Sequence, residues 1–366
     1  MKIILSGGGT AGHINPALAL AEVLKSQGHE VFFAGTPNGV EARLVGKTDI
    51  PFTPFEAAGF DREKPWTLVT SSLKILGSIG KAKKWMRSIR PDAVVGFGGY
   101  VSIPVGTAAS QLGIPLVVHE QNSVMGMANK FLGKRAKAVA LTYDVAAKDV
   151  EDRSKVVVTG NPVRSSMLSA TREEGRAMLN VPEDALMLLV FGGSLGAKHI
   201  NERICSLKDD LLGRDNLYVV HIAGPKQYDA CRELLNLTDE EAKRWILIPY
   251  QDRMAETLAA TDCIVSRAGA TSLAEISALR IPSLLVPFPF AAEDHQTTNA
   301  KSYVECGAAY MIADADLDSQ DFVDKLHSLI DDPAVRASMA QAAAELKTED
   351  ASANLAEVVI RAAQAR

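Results

Sequence analysis

Glycine-rich turns that could hold an anionic ligand occur at three places in the sequence. Residues 7–13 (GGGTAGH), 96–102 (GFGGYVS) and 192–197 (GGSLGA) each follow a short apolar run typical of a strand and precede a helical pattern. The N-terminus of such a helix presents free backbone N–H groups, and glycine lets the backbone approach a phosphate closely. Any one of these segments could be a tight turn that binds no ligand. Because such turns occur in both halves of the sequence, a ligand shared by the two halves is favoured.

The first turn also fits a dinucleotide-binding pattern, because Gly7, Gly9 and Gly12 have the G-x-G-x-x-G spacing. That pattern expects an acidic residue after the second strand to hold a ribose, and residues 34–37 read AGTP instead. The missing acid weighs against an NAD-dependent oxidoreductase, which is the alternative function from a different class.

A segment in the second half has the composition of a nucleotide site. Residues 266–275 (SRAGATSLAE) follow a predicted strand, and their small side chains leave room for a diphosphate. The Thr271 and Ser272 hydroxyls are possible donors to it, and Glu275 could accept hydrogen bonds from both ribose hydroxyls. The alternative is that Glu275 is an ordinary glutamate in the first turn of a helix.

Two amide side chains follow another predicted strand end. Gln296 and Asn299 are three residues apart, so they are expected on one face of a helix. Amides suit sugar hydroxyls because each can donate and accept a hydrogen bond. A solvated helix start is the alternative interpretation.

Asp314 and Asp316 resemble the D-x-D motif with which some sugar transferases hold a divalent metal. N-capping of the following helical stretch, residues 322–330, accounts for the pair as well. We therefore expect no metal and no cofactor.

Strands that alternate with helices must position these turns. The predicted strands are residues 3–5, 31–33, 93–95, 116–118, 156–158, 186–191, 218–221, 246–248, 263–265 and 283–286. This alternation predicts an α/β fold of two doubly wound parallel-sheet domains that face each other across a cleft. The hinge is expected near residues 160–164, and residues 334–366 are predicted to be a helical, alanine-rich tail.

Length and composition agree with two ordinary globular domains. The chain has 366 residues and a net charge of −5, so nothing global indicates nucleic-acid binding. Its four cysteines include no C-x-x-C pair, as is typical of a reduced cytosolic protein. No apolar run is long enough for a signal peptide or a membrane span, so any membrane contact is expected from the cytoplasmic surface.

Residues 64–90 contain no acidic residue and combine cations with apolar side chains at helical spacing. An apolar patch rimmed by cations suits a surface of anionic lipids, whereas the alternative is a helix that packs its apolar side on the first domain. We expect some of these apolar side chains in the core and the rest on lipid. The predicted membrane patch consists of Leu73, Leu76, Ile79, Lys81, Lys84 and Trp85.

The motifs taken together resemble the MurG family of bacterial N-acetylglucosaminyltransferases, in order over nearly the whole chain. They are residues 7–16, 98–104, 119–122, 160–164, 192–197, 267–275 and 296–299. The resemblance implies a GT-B fold, in which residues 1–162 and a C-terminal helix of about 345–366 bind the lipid acceptor and residues 163–344 bind UDP-N-acetylglucosamine. It further implies an inverting, metal-independent transfer to the muramyl 4-hydroxyl of lipid I, giving lipid II at the cytoplasmic face of the membrane for peptidoglycan synthesis.

The resemblance also implies roles for individual residues. The donor contacts would come from Thr10, Ala11, Gly12, Asn122, Arg164, Ser194, Gln251, Ala270, Thr271, Ser272, Leu273, Ala274, Glu275, Gln296 and Asn299. The acceptor-side turn would be Gly98, Gly99 and Tyr100. Two positions depart from the family pattern, since Ala11 replaces a usual glycine and His295 stands where some members have glutamine.

Transfer needs a base that takes the proton of the attacking hydroxyl. His13 is the best candidate, because it ends the first glycine turn and an unperturbed imidazole titrates near neutral pH. A histidine that only bonds backbone at a helix start is the alternative. Another GT-B enzyme with a lipid or natural-product acceptor and a non-catalytic UDP-sugar-binding protein are the remaining alternative functions; the motifs at residues 98–104 and 119–122 argue against the first.

Overall fold

The computed structural model describes residues 1–56, 67–193, 196–346 and 350–365, with side chains from residue 74 onward in the helix that begins at residue 67. The chain divides into two compact units. The first unit is Met1–Arg164 together with Thr348–Arg366, and the second is Ser165–Lys347.

The first unit is built on a parallel sheet of seven strands in the order β3-β2-β1-β4-β5-β6-β7. The strands are β1 Lys2–Gly7, β2 Glu30–Gly35, β3 Phe52–Pro54, β4 Ala93–Gly98, β5 Leu116–Glu120, β6 Ala138–Leu141 and β7 Val156–Val158. The helices are α1 Ala11–Ser26, α2 Val40–Val45, α3 Thr67–Ile89, α4 Ser102–Gln111 and α5 Met127–Gly133.

The second unit has a parallel sheet of six strands in the order β10-β9-β8-β11-β12-β13. Its strands are β8 Leu186–Phe191, β9 Leu217–Ile222, β10 Trp245–Ile248, β11 Cys263–Ser266, β12 Ser283–Leu285 and β13 Ala309–Met311. Its helices are α6 Ser165–Ser169, α7 Arg172–Leu179, α8 Lys198–Ser206, α9 Lys208–Leu212, α10 Tyr228–Leu235, α11 Met254–Ala259, α12 Ala270–Ala278, α13 His295–Glu305, α14 Gln320–Asp331 and α15 Pro333–Ala344.

Both sheets have the doubly wound strand order, in which the chain starts in the middle, winds to one edge and returns to continue on the other side. Their switch points lie between β1 and β4 and between β8 and β11, and ligands of such sheets bind at the carboxyl ends of these strands. The predicted fold class is therefore confirmed. The glycine turn at residues 7–13 follows β1, and the one at residues 192–197 follows β8.

The last helix, α16 Ala351–Gln364, packs in the first unit against α1 and the central strands of the sheet. Leu355, Ala356 and Val359 are fully buried in the same apolar cluster as Ile3 and Leu5 of β1. The predicted helical tail thus completes the core of the first unit.

All ten predicted strands are present, and three strands were not predicted. These are β3, β6 and β13, which have only three or four residues each and so show little periodicity. Strand β4 also runs as far as Gly98, so three of the seven residues of the segment 96–102 belong to a strand rather than to a turn. Helix α1 begins at Ala11 and includes Pro16, earlier than the apolar pattern from Ala17 indicates.

Two buried histidines hold neighbouring segments to the sheets. His119 on β5 has its Nε2 3.1 Å from the Gly160 carbonyl oxygen, and His221 on β9 has its Nε2 3.0 Å from the Asn201 Oδ1. Both side chains are fully buried. Burial lowers the pKa of each imidazole to about 4, because the charged form loses its hydration.

These histidines predict that the chain loses stability in mild acid. The unfolded chain binds a proton on each imidazole near pH 6.5 and the folded chain only near pH 4, so the free energy of unfolding falls as the pH drops through this window. At pH 5 the loss is expected to be about 2 kcal/mol for each histidine. Urea unfolding at pH 7.5 and pH 5 measures it. Imidazole NMR signals of His119 and His221 that shift between pH 7.5 and pH 5 would contradict the assignment.

Candidate functional site

A hydrogen bond to the first glycine turn fixes the orientation of the His13 ring. The Nδ1 lies 2.8 Å from the Gly8 carbonyl oxygen, and since a carbonyl only accepts, Nδ1 carries the proton. In the neutral ring Nε2 is then an acceptor. This nitrogen faces the next turn, because a Cβ built on Gly98 would lie 3.1 Å from it.

The predicted acceptor-side turn packs directly on the first glycine turn. Gly98 and Gly99 have φ angles of +103° and +79°, and a Cβ on Gly99 would overlap the Gly8 carbonyl oxygen. The buried Ser102 hydroxyl holds the two turns together through the Ser6 carbonyl at 2.9 Å and the Gly98 carbonyl at 2.8 Å. His13, Gly98 and Gly99 are therefore brought together, and Tyr100 beside them is 38% exposed.

A buried carboxylate that the sequence did not predict holds the first turn. Glu41, at the start of α2, is fully buried and accepts hydrogen bonds from the Gly9 N–H at 3.2 Å and the Thr36 N–H at 2.9 Å. The Gly9 amide is thus satisfied within the protein. The expectation that this turn offers its amides to a phosphate is therefore wrong at Gly9, and a carboxylate at this place would also repel one. An acidic residue in the first turn of a short helix is common, so the sequence carried no signal for this role.

A second buried carboxylate, Glu120 at the end of β5, holds the turn that contains Asn122. It accepts from the Asn122 N–H at 3.0 Å, the Asn122 Nδ2 at 3.2 Å, the Gly126 N–H at 3.0 Å and the Asn129 Nδ2 at 2.8 Å. Because both donors of Asn122 point to one carboxylate, its side chain has a fixed orientation at the carboxyl edge of the first sheet.

In the second unit, the start of α12 has the properties of an anion site. Its N-cap, Gly269, is extended and supplies no side-chain cap, and the first turn contains no acidic residue. Thr271 and Ser272 in that turn are half-buried. Glu275 is the sixth residue of the helix and 9% exposed, so it is not the first-turn glutamate of the alternative interpretation. Leu273 and Ala274 are buried, so only their backbone could meet a ligand.

The predicted amide pair converges on the same turn. Gln296 Oε1 accepts from the Ala268 N–H at 3.1 Å and from the Phe288 N–H at 2.9 Å. Asn299 Nδ2 donates to the Ala268 carbonyl at 3.2 Å. The two amides do share one face of α13, as expected, and they join that helix to the β11–α12 turn.

An ionic cluster connects Arg267, just after the end of β11, to the first aspartate of the D-x-D pair. Asp314 forms ion pairs with Arg267, which also donates to the Val286 and Pro287 carbonyls, and with His199 at 2.9 Å. Burial would raise the pKa of Asp314, but hydrogen bonds from His199 and Arg267 hold it below its usual value. The same bond to Asp314 raises the pKa of His199.

The capping interpretation of the D-x-D pair is wrong. The N-cap of α14 is Ser319, whose hydroxyl accepts from the Phe322 N–H at 3.4 Å. Among the described residues, no group of three histidine, cysteine, aspartate or glutamate side chains could hold a metal ion.

Six of the predicted donor contacts have less structural context. Gln251 accepts from the Arg253 N–H at 3.0 Å through its side-chain oxygen. Arg164 is half-buried, and its Nε is buried without a partner among the described residues. Ser194 lies outside the described residues, while Thr10 is exposed and Ala11 and Gly12 are half-buried at the start of α1.

The residues of the predicted membrane patch on α3 fall into a group that packs on the core and a group that is exposed. Ile79 and Trp85 pack against the apolar cluster of the first unit, where the Trp85 ring lies 5.4 Å from that of Phe55. Leu76 is 64% exposed, and Lys81 and Lys84 are exposed as well. The side chain of Leu73 is outside the described part of the helix. No helix in the described ranges is long and apolar enough to cross a membrane.

Two units with doubly wound parallel sheets are the architecture of the GT-B fold. The sequence model of the glycosyltransferase family 28 N-terminal domain matches residues 3–141, and that of the family 28 C-terminal domain matches residues 187–355. The chain therefore belongs to glycosyltransferase family 28. This membership decides for a glycosyltransferase and against the oxidoreductase alternative.

Curated relatives with this architecture carry one enzyme name. A protein of Leuconostoc mesenteroides is 41% identical over 364 residues, covering 99% of both chains, and one of Acetivibrio thermocellus is 36% identical over 365 residues, covering 98% of this chain and 97% of its own. Both are named UDP-N-acetylglucosamine–N-acetylmuramyl-(pentapeptide) pyrophosphoryl-undecaprenol N-acetylglucosamine transferase.

Solved structures agree with this assignment. Acinetobacter baumannii MurG has a TM-score of 0.75 and 30% identity, covering 98% of this chain and 99% of its own. The UDP-GlcNAc 2-epimerase of Neisseria meningitidis, at 15% identity, a TM-score of 0.72 and coverage of 99% and 100%, shares the fold alone. The predicted resemblance to the MurG family is thus confirmed.

The ionic cluster predicts that Asp314 is structural. Asp314→Asn removes the anionic partner of Arg267 and is expected to lower the free energy of unfolding by about 1–2 kcal/mol. The matched control is Asp316→Asn, since Asp316 is the exposed member of the pair and should cost less than about 0.5 kcal/mol. Urea unfolding with and without added Mg²⁺ checks both. Stabilisation by Mg²⁺ that Asp314→Asn abolishes would instead support a metal site.

Proposed function

We propose that this chain transfers N-acetylglucosamine from UDP-N-acetylglucosamine to the muramyl 4-hydroxyl of the undecaprenyl-linked acceptor lipid I. The product is lipid II, an intermediate of peptidoglycan synthesis. The observation that carries the proposal is 41% identity over 99% of both chains to a transferase named for this donor and acceptor.

The donor is proposed to bind at the β11–α12 turn of the second unit. The uncapped N-terminus of α12 supplies backbone N–H groups for the diphosphate, and Glu275 accepts from the ribose hydroxyls. In the described part of the chain no acceptor faces the Gln296 Nε2, so that group is available to a sugar hydroxyl. Asn122, Arg164, Ser194, Gln251 and Asn299 remain proposed donor contacts.

The chemistry divides between a base and a stabilised leaving group. His13 Nε2 takes the proton of the 4-hydroxyl as the oxygen attacks the anomeric carbon, and the bond between that carbon and the UDP oxygen breaks. Backbone N–H groups at the α12 N-terminus stabilise the negative charge that develops on UDP. The hydrogen bond from Nδ1 to Gly8 supports this role, because it leaves Nε2 as the acceptor.

The membrane contact is proposed for one exposed face of α3. Leu76, Gly80, Lys84 and Arg87 are spaced four, four and three residues apart and are all exposed, so they form one stripe. Lys74 and Lys81 are exposed on the same helix, and no acidic residue lies on it. This face would bind anionic lipids at the cytoplasmic side of the plasma membrane, where the lipid-linked acceptor resides.

The transfer itself is tested by UDP release with and without a lipid I analogue. The wild-type chain should release UDP from UDP-N-acetylglucosamine much faster with the acceptor present. His13→Ala should lower kcat by about 100-fold or more while calorimetric UDP affinity stays within about twofold, because only the base is lost. His29→Ala, in the same unit, is the control. Equal losses of kcat and UDP affinity would reject His13 as the base.

The lipid-binding face is tested by sedimentation with vesicles that contain anionic lipid. Lys81→Glu, Lys83→Glu and Lys84→Glu together should weaken binding by roughly 100-fold or more, since each cation contributes about 1 kcal/mol. The control makes the same change of charge at the exposed Lys137, Lys148 and Lys226. Equal effects of the two triple variants would mean that net charge, rather than α3, determines binding.

A further inference from the structure

One peptide group lies between a buried carboxylate and the His13 imidazole. The Gly8 carbonyl and the Gly9 N–H belong to the same amide, which joins these two residues. Its N–H donates to Glu41 Oε2 at 3.2 Å, and its carbonyl oxygen accepts from His13 Nδ1 at 2.8 Å. Carboxylate, amide and imidazole thus form a continuous chain of hydrogen bonds.

The surrounding sequence is shaped to the Glu41 side chain. A Cβ on Gly8, Gly35 or Gly39 would overlap it, so three glycines leave the space that it fills. Thr36 donates to Oε1 through both its N–H and its hydroxyl, while Gly9 donates to Oε2. All three partners are donors, which is the arrangement that an ionised carboxylate requires.

We propose that Glu41 is a positioning residue for the transfer, acting on His13 through the Gly8–Gly9 peptide group. This inference rests on the proposed role of His13 as the base. A hydrogen bond to a carboxylate polarises the amide and strengthens its carbonyl as an acceptor. The carbonyl then fixes the Nδ1–H tautomer and stabilises the imidazolium that forms when Nε2 takes the proton. Glu41 itself neither gains nor loses a proton.

The arrangement resembles the role of the aspartate in a Ser-His-Asp triad, with a peptide group inserted between the carboxylate and the imidazole. Direct contact is not needed, because the amide transmits polarisation from one side to the other. The inserted amide also separates the carboxylate from the imidazole, and so places it further from the reacting hydroxyl. This matters because a nearer anion would repel the diphosphates of the two substrates.

The decisive variant is Glu41→Gln, which keeps the shape of the side chain and removes its charge. It is expected to lower kcat by about 10-fold to 100-fold, with KM for UDP-N-acetylglucosamine within about twofold. Thr36→Val is the matched control, since it removes one hydrogen bond to the same carboxylate but leaves the bond to Gly9. This control should keep kcat within about threefold of the wild type. Its free energy of unfolding in urea should fall by about as much as that of Glu41→Gln.

A double-mutant cycle separates positioning from a purely structural role. If Glu41 acts through His13, Glu41→Gln should lower kcat in the wild-type background and change it by less than about twofold in His13→Ala. The same fold-loss in both backgrounds, or no loss in either, would overturn the inference. Should Glu41→Gln fail to fold, Glu41→Asp in the same cycle decides by the same criterion.

The cycle also keeps this inference distinct from the proposed function. Absence of acceptor-dependent UDP release by the wild-type chain would refute the transfer itself. Full activity of His13→Ala would refute the base and the positioning residue together. Wild-type transfer, a severe loss in His13→Ala and additive effects of Glu41→Gln would refute the positioning residue alone.

Discussion

Each turn that leaves the carboxyl end of a strand in this chain carries backbone N–H and C=O groups that the sheet no longer pairs. Leaving such groups buried without partners costs free energy, so each turn needs a side chain that satisfies them. The side chains that do so are Glu41, Glu120, Ser102, Asn201 and Gln296. These turns are therefore held by polar side chains, of which Glu120 and Ser102 are local and Glu41, Asn201 and Gln296 come from other segments.

The chemistry of these supporting residues differs between the two units. In the first unit they include two buried carboxylates, Glu41 and Glu120, which consume backbone N–H groups and add negative charge. Around the β11–α12 turn they are the neutral amides of Gln296 and Asn299 and the cation Arg267. The backbone of the functional turns is thus held mainly by carboxylates in the first unit and by neutral amides at the β11–α12 turn.

Local patterns in the sequence predicted those features of the fold that are determined by residues close together in the chain. The strand, turn and helix order follows from apolar runs and glycines, and the shared face of Gln296 and Asn299 follows from their spacing. The bonds of Glu41 to Gly9 and of Asp314 to Arg267 join residues 32 and 47 positions apart, and no local pattern predicts such partners. Periodicity likewise identified the apolar residues of α3 but not which of them the core would cover, so Ile79 and Trp85 lie against the sheet while Leu76 is exposed.

The position of α16 has a consequence for how the protein is made. Its buried Leu355, Ala356 and Val359 belong to the core of the first unit, yet they are synthesised after the entire second unit. The second unit is continuous in the chain and can close its core during synthesis, whereas the first emerges early with a gap along α1 and β4. The unit that carries His13 is thus completed last, and a chain that lacks α16 leaves an open core in that unit.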